Sequence, residues 1–520
     1  MIRKRDKDMS KDLENKYVKN DVPPTRDERL EISDAFNGFG CDFVSCSKEC
    51  CLKKMDRDFW QASSSCQMGL STIMSSTVQN SVIIMHGPIG CGHQLHGLTA
   101  STNAGKAARG VPVNPMNWLS TNLGTNEVVN GGEKRLREAI EYADRTFRPE
   151  IIFVLSTCAP NIIGDDIEQI VRDEEKIVSA QVAAIHCPGF RSRMVSSAYD
   201  AFYHSLIKHV KFEPIPFKDY LPVNPADPMS EFAAAGYDYG KHHTVNLMTL
   251  ESAGAPDENE LSRLLNALDL NVNVVPEYSN ADKIRFISES ALNVSMCWMH
   301  DDYLLKYLKD EYGVPYYMQM PLGLKATRKW LTDIGEHFGI KERAERLADY
   351  EEELVKKAIE PFLSKIRHKR ILVTGGSVRS AVETSLLKDD LGMDVIGIIG
   401  MLYDNNAEGL FEDFAEEHPQ VPVVISDQPY EYVNQIKKLN PDIILEHANY
   451  LQEGAKCGFP TIPEFDVGGS YFGYSGVFNV AKKIAFALDN DGYVKHLSRH
   501  VRFPYKKDWY DKDPYQYIRQ

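Results

Sequence analysis

Short, nearly unbroken apolar runs punctuate the chain, each closed by Gly, Pro, Cys or Asp and followed by a stretch of helical periodicity. They are VIIMHGP (82–88), IIFVLSTC (151–158), VAAIHCP (182–188), TVNLMTL (244–250), NVNVVPEY (271–278), LNVSMC (292–297), VPYYMQM (314–320), RILVTGG (370–376), DVIGIIG (394–400), VPVVISD (421–427) and DIILEHA (442–448). A strand that is apolar at successive positions, rather than alternate ones, is covered on both faces, which is the condition inside a parallel sheet. Alternation with helical segments such as GGEKRLREAIEYADR predicts βαβ units. The runs fall into three groups, so the expected fold is α/β, with three doubly wound, Rossmann-like parallel-sheet domains.

Two segments separate the groups. One is the Pro-rich FEPIPFKDYLPVNPADP (212–228), and the other is KERAERLADYEEELVKKAIEPFLSKIRHKR (341–370), which reads as one long helix. Leu347, Leu354, Ala358 and Phe362 are the expected apolar face of that helix. The division that follows is an N-terminal arm with a Cys-rich segment (1–54), a first domain (55–228), a second (229–340), the linker helix with a third domain (341–490), and a C-terminal tail (491–520).

Composition narrows the setting. With 43% apolar and 26% charged residues over 520 positions, the chain has the balance of an ordinary soluble globular protein. No apolar run approaches the ~18 residues that a membrane crossing needs. The first twenty residues, MIRKRDKDMSKDLENKYVKN, lack the apolar stretch of a secretory signal and read as a solvated arm, so a cytoplasmic protein is expected. A net charge of −15 argues against nucleic acid as a partner, because phosphate binding needs a basic surface.

Ten cysteines are too few for a disulfide scaffold in a chain this long. Reduced thiols are then either small buried hydrophobes or metal ligands, and position must decide. Ligands of open α/β sheets sit beyond the carboxyl ends of the strands. Cys91 (HGPIGCG), Cys158 (LSTCAPNIIGDD) and Cys297 (LNVSMC) all stand at such ends. Cys66 (SSSCQMGLS) and Cys91 are 25 residues apart, and Cys91 and Cys158 are 67 apart, far wider than the paired thiolates of a zinc knuckle. Three thiolates without a fourth local ligand suit an Fe–S cluster completed by another chain.

The motifs CQMG at Cys66, HGPIGC at Cys91, STC at Cys158 and IGDD after it resemble the nitrogenase component 1 superfamily. YGVPYY (312–317), TGGSVR (374–379) and GSYFGYSG (469–476) extend the resemblance over nearly all of the chain after residue 55. The resemblance implies that Cys66, Cys91 and Cys158 bind this subunit's share of an interface Fe–S cluster, of 4Fe–4S or P-cluster type, with a paralogous β-type subunit supplying the rest. It also implies that Cys297, a feature of α-type subunits, ligates a second, complex iron–sulfur cofactor set between the three domains. An ATP-dependent iron–sulfur reductase would supply electrons to a small-molecule substrate, and Arg191 and Arg379 would offset the cofactor's negative charge. The Cys66–Cys91 spacing and CQMG themselves look β-like.

Three departures from the family pattern stand out. Before its G-x-Y-x-G run an α-type subunit carries a ligating histidine, whereas GFPTIPEFDVGGSYFGYSG has none, leaving Glu464 and Asp466 as candidate oxygen ligands or no second ligand at all. The glutamine and histidine that serve the reacting iron in dinitrogen-reducing subunits correspond by spacing to Val195 and Tyr199. Valine donates no hydrogen bond, and tyrosine is a slower proton relay near neutral pH. An additional segment, GCDFVSCSKECC, holds Cys41, Cys46, Cys50 and Cys51, either a further metal site or an exposed segment. His93 and His96 are candidates to line the interface cluster or to pack, Cys187 and Cys457 are expected to pack, and Asp165 and Asp166 to cap a helix. TGGS lacks the lysine and spacing of a phosphate loop. The expected function is a nitrogenase-like reductase, with a cofactor-assembly scaffold or a true dinitrogen reductase as alternatives.

Overall fold

The computed structural model describes residues 20–33, 35–48, 66–92, 102–113, 117–192, 194–210, 212, 240–248, 254–426, 428–447, 451–465 and 468–513. Cys50, Cys51, His93, His96, Asp466 and most of the Pro-rich segment lie outside these residues. Every apolar run named above forms a strand. After β1 (Ile32–Ser33) and β2 (Phe36–Phe39), a parallel sheet is built from β3 (Ser81–His86), β4 (Asn117–Ser120), β5 (Ile151–Ser156) and β6 (Gln181–His186), in the order β4-β3-β5-β6. A second parallel sheet contains β7 (Thr244–Met248), β8 (Asn271–Val274), β9 (Leu292–Ser295) and β10 (Tyr316–Met318), in the order β10-β9-β7-β8.

The third sheet takes β11 (Arg370–Gly375), β12 (Asp394–Gly400), β14 (Pro422–Ile425), β15 (Ile443–Glu446) and β16 (Thr461–Pro463). Its order is β16-β15-β11-β12-β14-β2, with the N-terminal β2 added antiparallel at the edge. A separate antiparallel pair joins β1 to β13 (Tyr403–Asp404). All six residues of β5 are buried, as an apolar run with helices on both faces requires.

In each sheet the chain first grows to one side and then crosses to the other, which opens a crevice between the first strand and the first strand laid on its far side. These switch points fall between β3 and β5, between β7 and β9, and between β11 and β15.

The linker helix runs from Lys341 to Ile366, but its buried stripe is not the expected one. Ala344, Ala348, Val355, Ile359, Leu363 and Ile366 face the core, while Leu354 is 47% exposed and Ala358 is also exposed. The burial stripe lies one residue C-terminal to much of the expected face. It uses two alanines, whose small side chains allow close packing against Gly335 of the preceding helix, where an added Cβ would lie 2.6 Å from that of Ala344.

Residues 20–33 form a strap over all three sheet units. Arg26 has a fully buried side chain, with Nε 2.5 Å from Asp404 and Nη1 2.9 Å from Asp302 and 3.6 Å from Asp200. Its Nη2 also donates to the carbonyl of Trp298 at 3.3 Å. Arg29 bridges Asp200 and Asp302 at 3.0 Å each, and Lys306 reaches Asp302 at 3.0 Å. Three cations thus meet three buried carboxylates, one on each unit. Upstream, His204 Nε2 lies 3.0 Å from the Asn20 carbonyl and its Nδ1 3.0 Å from the Tyr303 hydroxyl. A carbonyl only accepts, so Nε2 carries a proton, and because burial keeps the imidazole neutral, Nδ1 accepts from the phenol.

Two expectations follow. Arg26→Met leaves the aspartates short of a cation and should lower unfolding free energy by about 3–5 kcal/mol in urea titrations. Burial and Lys208 hold the His204 imidazole down at about 4, against an ordinary 6.5, so on acidification the unfolded chain takes up this proton first. Stability should therefore be flat above pH 6.5 and fall as the pH drops towards 4, by up to about 3 kcal/mol from this residue. Melting temperatures of His204→Gln should fall less steeply over that window.

Candidate functional site

Two groups of candidate residues gather at the switch points. Cys91 lies in the short turn Ile89–Gly92 that follows β3, and Cys158 is the first residue of the Cys158–Ile163 helix that follows β5. Cys66 caps the N-terminus of the Gln67–Thr77 helix. The approach of these elements depends on Gly189, where a Cβ would lie 3.0 Å from Cys66 Cβ, 3.5 Å from Cys66 Sγ and 3.9 Å from Cys158 Sγ. Gln67 holds that turn in place by donating from Nε2 to the Pro188 carbonyl at 2.5 Å.

Burial raises the Cys91 thiol pKa first, and the neighbouring Cys158 and Cys66 raise it further, which puts the three within electrostatic reach of one another. All three are half-buried. Among the described residues only Asp389, Glu417 and His418 bring three ligand atoms within 4.8 Å, on a partly exposed surface. The sulfurs of the cysteine trio do not all lie within that distance of one another. Cys187 feels the same three cysteines but is fully buried and pushed far up by burial, an inert packing thiol.

The second group lies where the carboxyl ends of the second and third sheets meet. Cys297, 6% exposed, stands two residues beyond β9, and its sulfur accepts from the Met299 amide at 3.4 Å. Met299 in turn lies 3.8 Å, Sδ to Oγ, from Ser377, at the start of the Ser377–Ser385 helix that carries Arg379. Tyr199 is buried, and its ring stacks on His300 at 4.0 Å with an interplanar angle of 17°. Burial and then Arg26 and Arg379 hold His300 down at about 3, so it is neutral.

Arg379 is nearly fully buried, 3.3 Å from Glu383, with its guanidinium over Phe465 and Phe472 at 5.5 and 5.2 Å. Glu464 is 2% exposed, and its Oε1 lies 3.3 Å from His447 Nε2. Burial raises Glu464 well above its ordinary range and Glu383 to about 8, so two acids share one guanidinium. Burial and Arg379 hold His447 down at about 4. Arg379 Nη2, Glu383 Oε2 and Glu464 Oε2 are buried and lack a hydrogen-bond partner among the described residues. Three orphaned polar atoms in one place are the mark of a site built for a charged guest. A thiol, an imidazole, a carboxylate and a buried arginine fit an anionic iron–sulfur group.

Other candidates are placed differently. Arg191 donates to the Pro23 carbonyl at 3.2 Å and pairs with Glu28 at 3.1 Å, so its guanidinium is committed to the N-terminal strap rather than to the Cys297 region. Asp166 caps the Ile167–Glu174 helix, whereas Asp165 instead accepts from the Gly132 amide and meets His86 Nε2 at 3.0 Å. Cys41 and Cys46 lie on the Gly40–Lys48 helix five residues apart, about 140° around the axis, so they diverge. Cys457 packs against the third sheet's outer cluster, its thiol raised by burial to about 12. Sequence reasoning missed His447 and His300. The signal for His447 was present, a polar residue immediately after a buried apolar strand.

Among the described residues, two parallel sheets of four strands, one sheet of six and a two-stranded pair, with cysteines at the switch points of the first two parallel sheets, define an α/β protein with thiols gathered at strand ends. The profile described as Nitrogenase component 1 type Oxidoreductase matches residues 66–489, and the chain belongs to that family. It is 27% identical over 435 residues to the nitrogenase molybdenum-iron protein alpha chain of Methanothermobacter marburgensis, covering 81% of this chain and 86% of that one. It is 24% identical over 431 residues to the nitrogenase iron-molybdenum cofactor biosynthesis protein NifE of Methanococcus maripaludis, covering 82% of this chain and 83% of that one. The solved structure "Nitrogenase Cp1 at pH 5" shares the fold with a TM-score of 0.68 at 19% identity, over 87% of this chain and 92% of that chain. Among the described residues no helix is long and apolar enough to cross a membrane.

Gly375 has φ +152°, and a Cβ there would lie 2.0 Å from Glu464 Oε2, whereas one on adjacent Gly376 would meet nothing within 4 Å. Gly375→Ala should destabilise the chain by about 1–3 kcal/mol in urea unfolding. Gly376→Ala should change it by no more than about 0.5 kcal/mol.

Proposed function

We propose that this chain is the α-type subunit of a nitrogenase-like oxidoreductase. The observation that carries the reading is the gathering of Cys66, Cys91 and Cys158, all half-buried, at the first switch point. In this reading the three thiolates hold half of an interface Fe–S cluster, of 4Fe–4S or P-cluster type, and a paralogous β-type subunit supplies the rest. Cys297 anchors a second iron–sulfur cofactor, and electrons arrive from an ATP-dependent iron–sulfur reductase. When bound, that cofactor supplies the electrons and open metal positions for reducing a small molecule.

The chain's own residues set the conditions. Arg379 balances the cofactor's negative charge with a cation that stays protonated when buried. Tyr199, stacked on neutral His300, places a phenol where its hydroxyl serves as a weak donor. Val195 removes an amide donor from the same helix region, which makes dinitrogen a less suitable substrate than another reducible bond. The protein works in the cytoplasm without nucleic acid or membrane.

A cofactor-assembly scaffold is the second reading, favoured by the similarity to NifE and by the lack of a histidine in the segment before GSYFGYSG. Supplying the purified complex with its reductase and ATP separates the two. Turnover of dinitrogen, acetylene or a thioether supports an enzyme, and transfer of bound cluster to an apo-partner supports a scaffold. Cys91→Ala should abolish the interface cluster's paramagnetic signal, while Cys297→Ala should keep that signal and lose the second cofactor's iron. Loss of both signals in both variants would remove the two-site reading.

A further inference from the structure

We propose that His447, with Glu464 beside it, is the second protein anchor of that cofactor, binding one of its metals from the third sheet while Cys297 binds from the second. The inference rests on the reading that a cofactor sits at Cys297. It answers the absence of a histidine before GSYFGYSG with a residue that the fold brings to the same region by another route.

The first argument is topological. In each sheet the first strand laid down on the far side of the starting strand is β5 beside β3, β9 beside β7, and β15 beside β11. Cys158 lies two residues past β5 and Cys297 two past β9. His447 lies one residue past β15, at the corresponding place in the third sheet. Metal-ligand chemistry thus occupies the equivalent crevice three times. The His447 backbone is pinned there, its N–H donating to Thr374 Oγ1 on β11 at 3.2 Å.

The second argument is local geometry. His447 Nε2 and Glu464 Oε1 converge to 3.3 Å, so that both donor atoms point at one small volume. A metal about 2.0–2.2 Å from each atom would see them roughly 100–110° apart, which four- and six-coordinate sites accept. Phe465 meets the imidazole edge-on at 5.9 Å and fixes its plane. Glu464 is admitted only because Gly375 has no Cβ, and its second oxygen is one of the orphans. Carboxylate and imidazole are harder donors than the thiolate of Cys297, a pair that iron accepts.

The test uses the full-length chain co-purified anaerobically with its partner subunit. With 15N-histidine labelling, pulsed electron paramagnetic resonance of the unmodified complex should show a histidine nitrogen coupled to the second cofactor, and the coupling should vanish in His447→Gln. In His447→Ala and Glu464→Gln, iron of that cofactor should pass to a chelator about 10-fold faster or more, with the interface signal unchanged. Absence of any histidine coupling in the unmodified complex, or release rates within twofold of it in both variants while Cys297→Ala loses the cofactor, overturns the inference alone. Retention of the cofactor in Cys297→Ala overturns the underlying reading as well.

Discussion

The arrangement depends on one buried guanidinium. Arg26 comes from a short N-terminal segment, yet it touches an aspartate from each of the three sheet-bearing units and the carbonyl beside Cys297. A charge removed from water costs several kcal/mol unless its partners are close and well aimed, and here the partners are themselves buried carboxylates with the same need. Neither side is tolerable without the other. The demand for mutual satisfaction, more than its net contribution to stability, fixes how the three units sit together. Asn406, on the third unit, also donates to the Trp298 carbonyl, so the loop that carries Cys297 is held from two directions.

Given that frame, the chemistry follows from where parallel sheets leave gaps. Crossing from one side of a sheet to the other opens a crevice at the strand ends, and the chain places Cys91 with Cys158, then Cys297, then Arg379 with His447 at successive crevices. At the first crevice the thiols of Cys66, Cys91 and Cys158 are half-buried. The other two are lined by side chains buried almost completely, and at the third the Arg379, Glu383 and Glu464 side chains each leave one polar atom without a partner among the described residues. The GSYFGYSG segment closes this region because Asp257 accepts from the Tyr471 and Phe472 amides at 2.6 and 2.8 Å.

Much of this was legible in the chain. Unbroken apolar runs identify buried parallel strands because only two-sided burial rewards an apolar residue at every position. The strands β4 and β16 escaped notice because NWLS and TIP are short and mixed. The linker helix turns a neighbouring stripe inwards because Ala344 and Ala348, which carry little apolar signal in the sequence, allow the close packing. Cysteines at strand ends were readable through the rule for open sheets. Arg191 was not, because an arginine's partner far away in the chain, here Glu28, leaves no local mark. His447 went unweighed since a lone histidine after a strand acquires meaning only when the strand order shows which crevice it borders.

The strap also imposes an order in time. Asp404, the nearest partner of Arg26, follows it in the chain by 378 residues. At the pace of translation, roughly 5–20 residues per second, the arginine waits on the order of tens of seconds for its complement. Through that interval the first unit can fold, but the three cannot be locked together. Closure around the Cys297 loop therefore waits until Asp404 has been made, and until then the nascent chain keeps that interior unlocked.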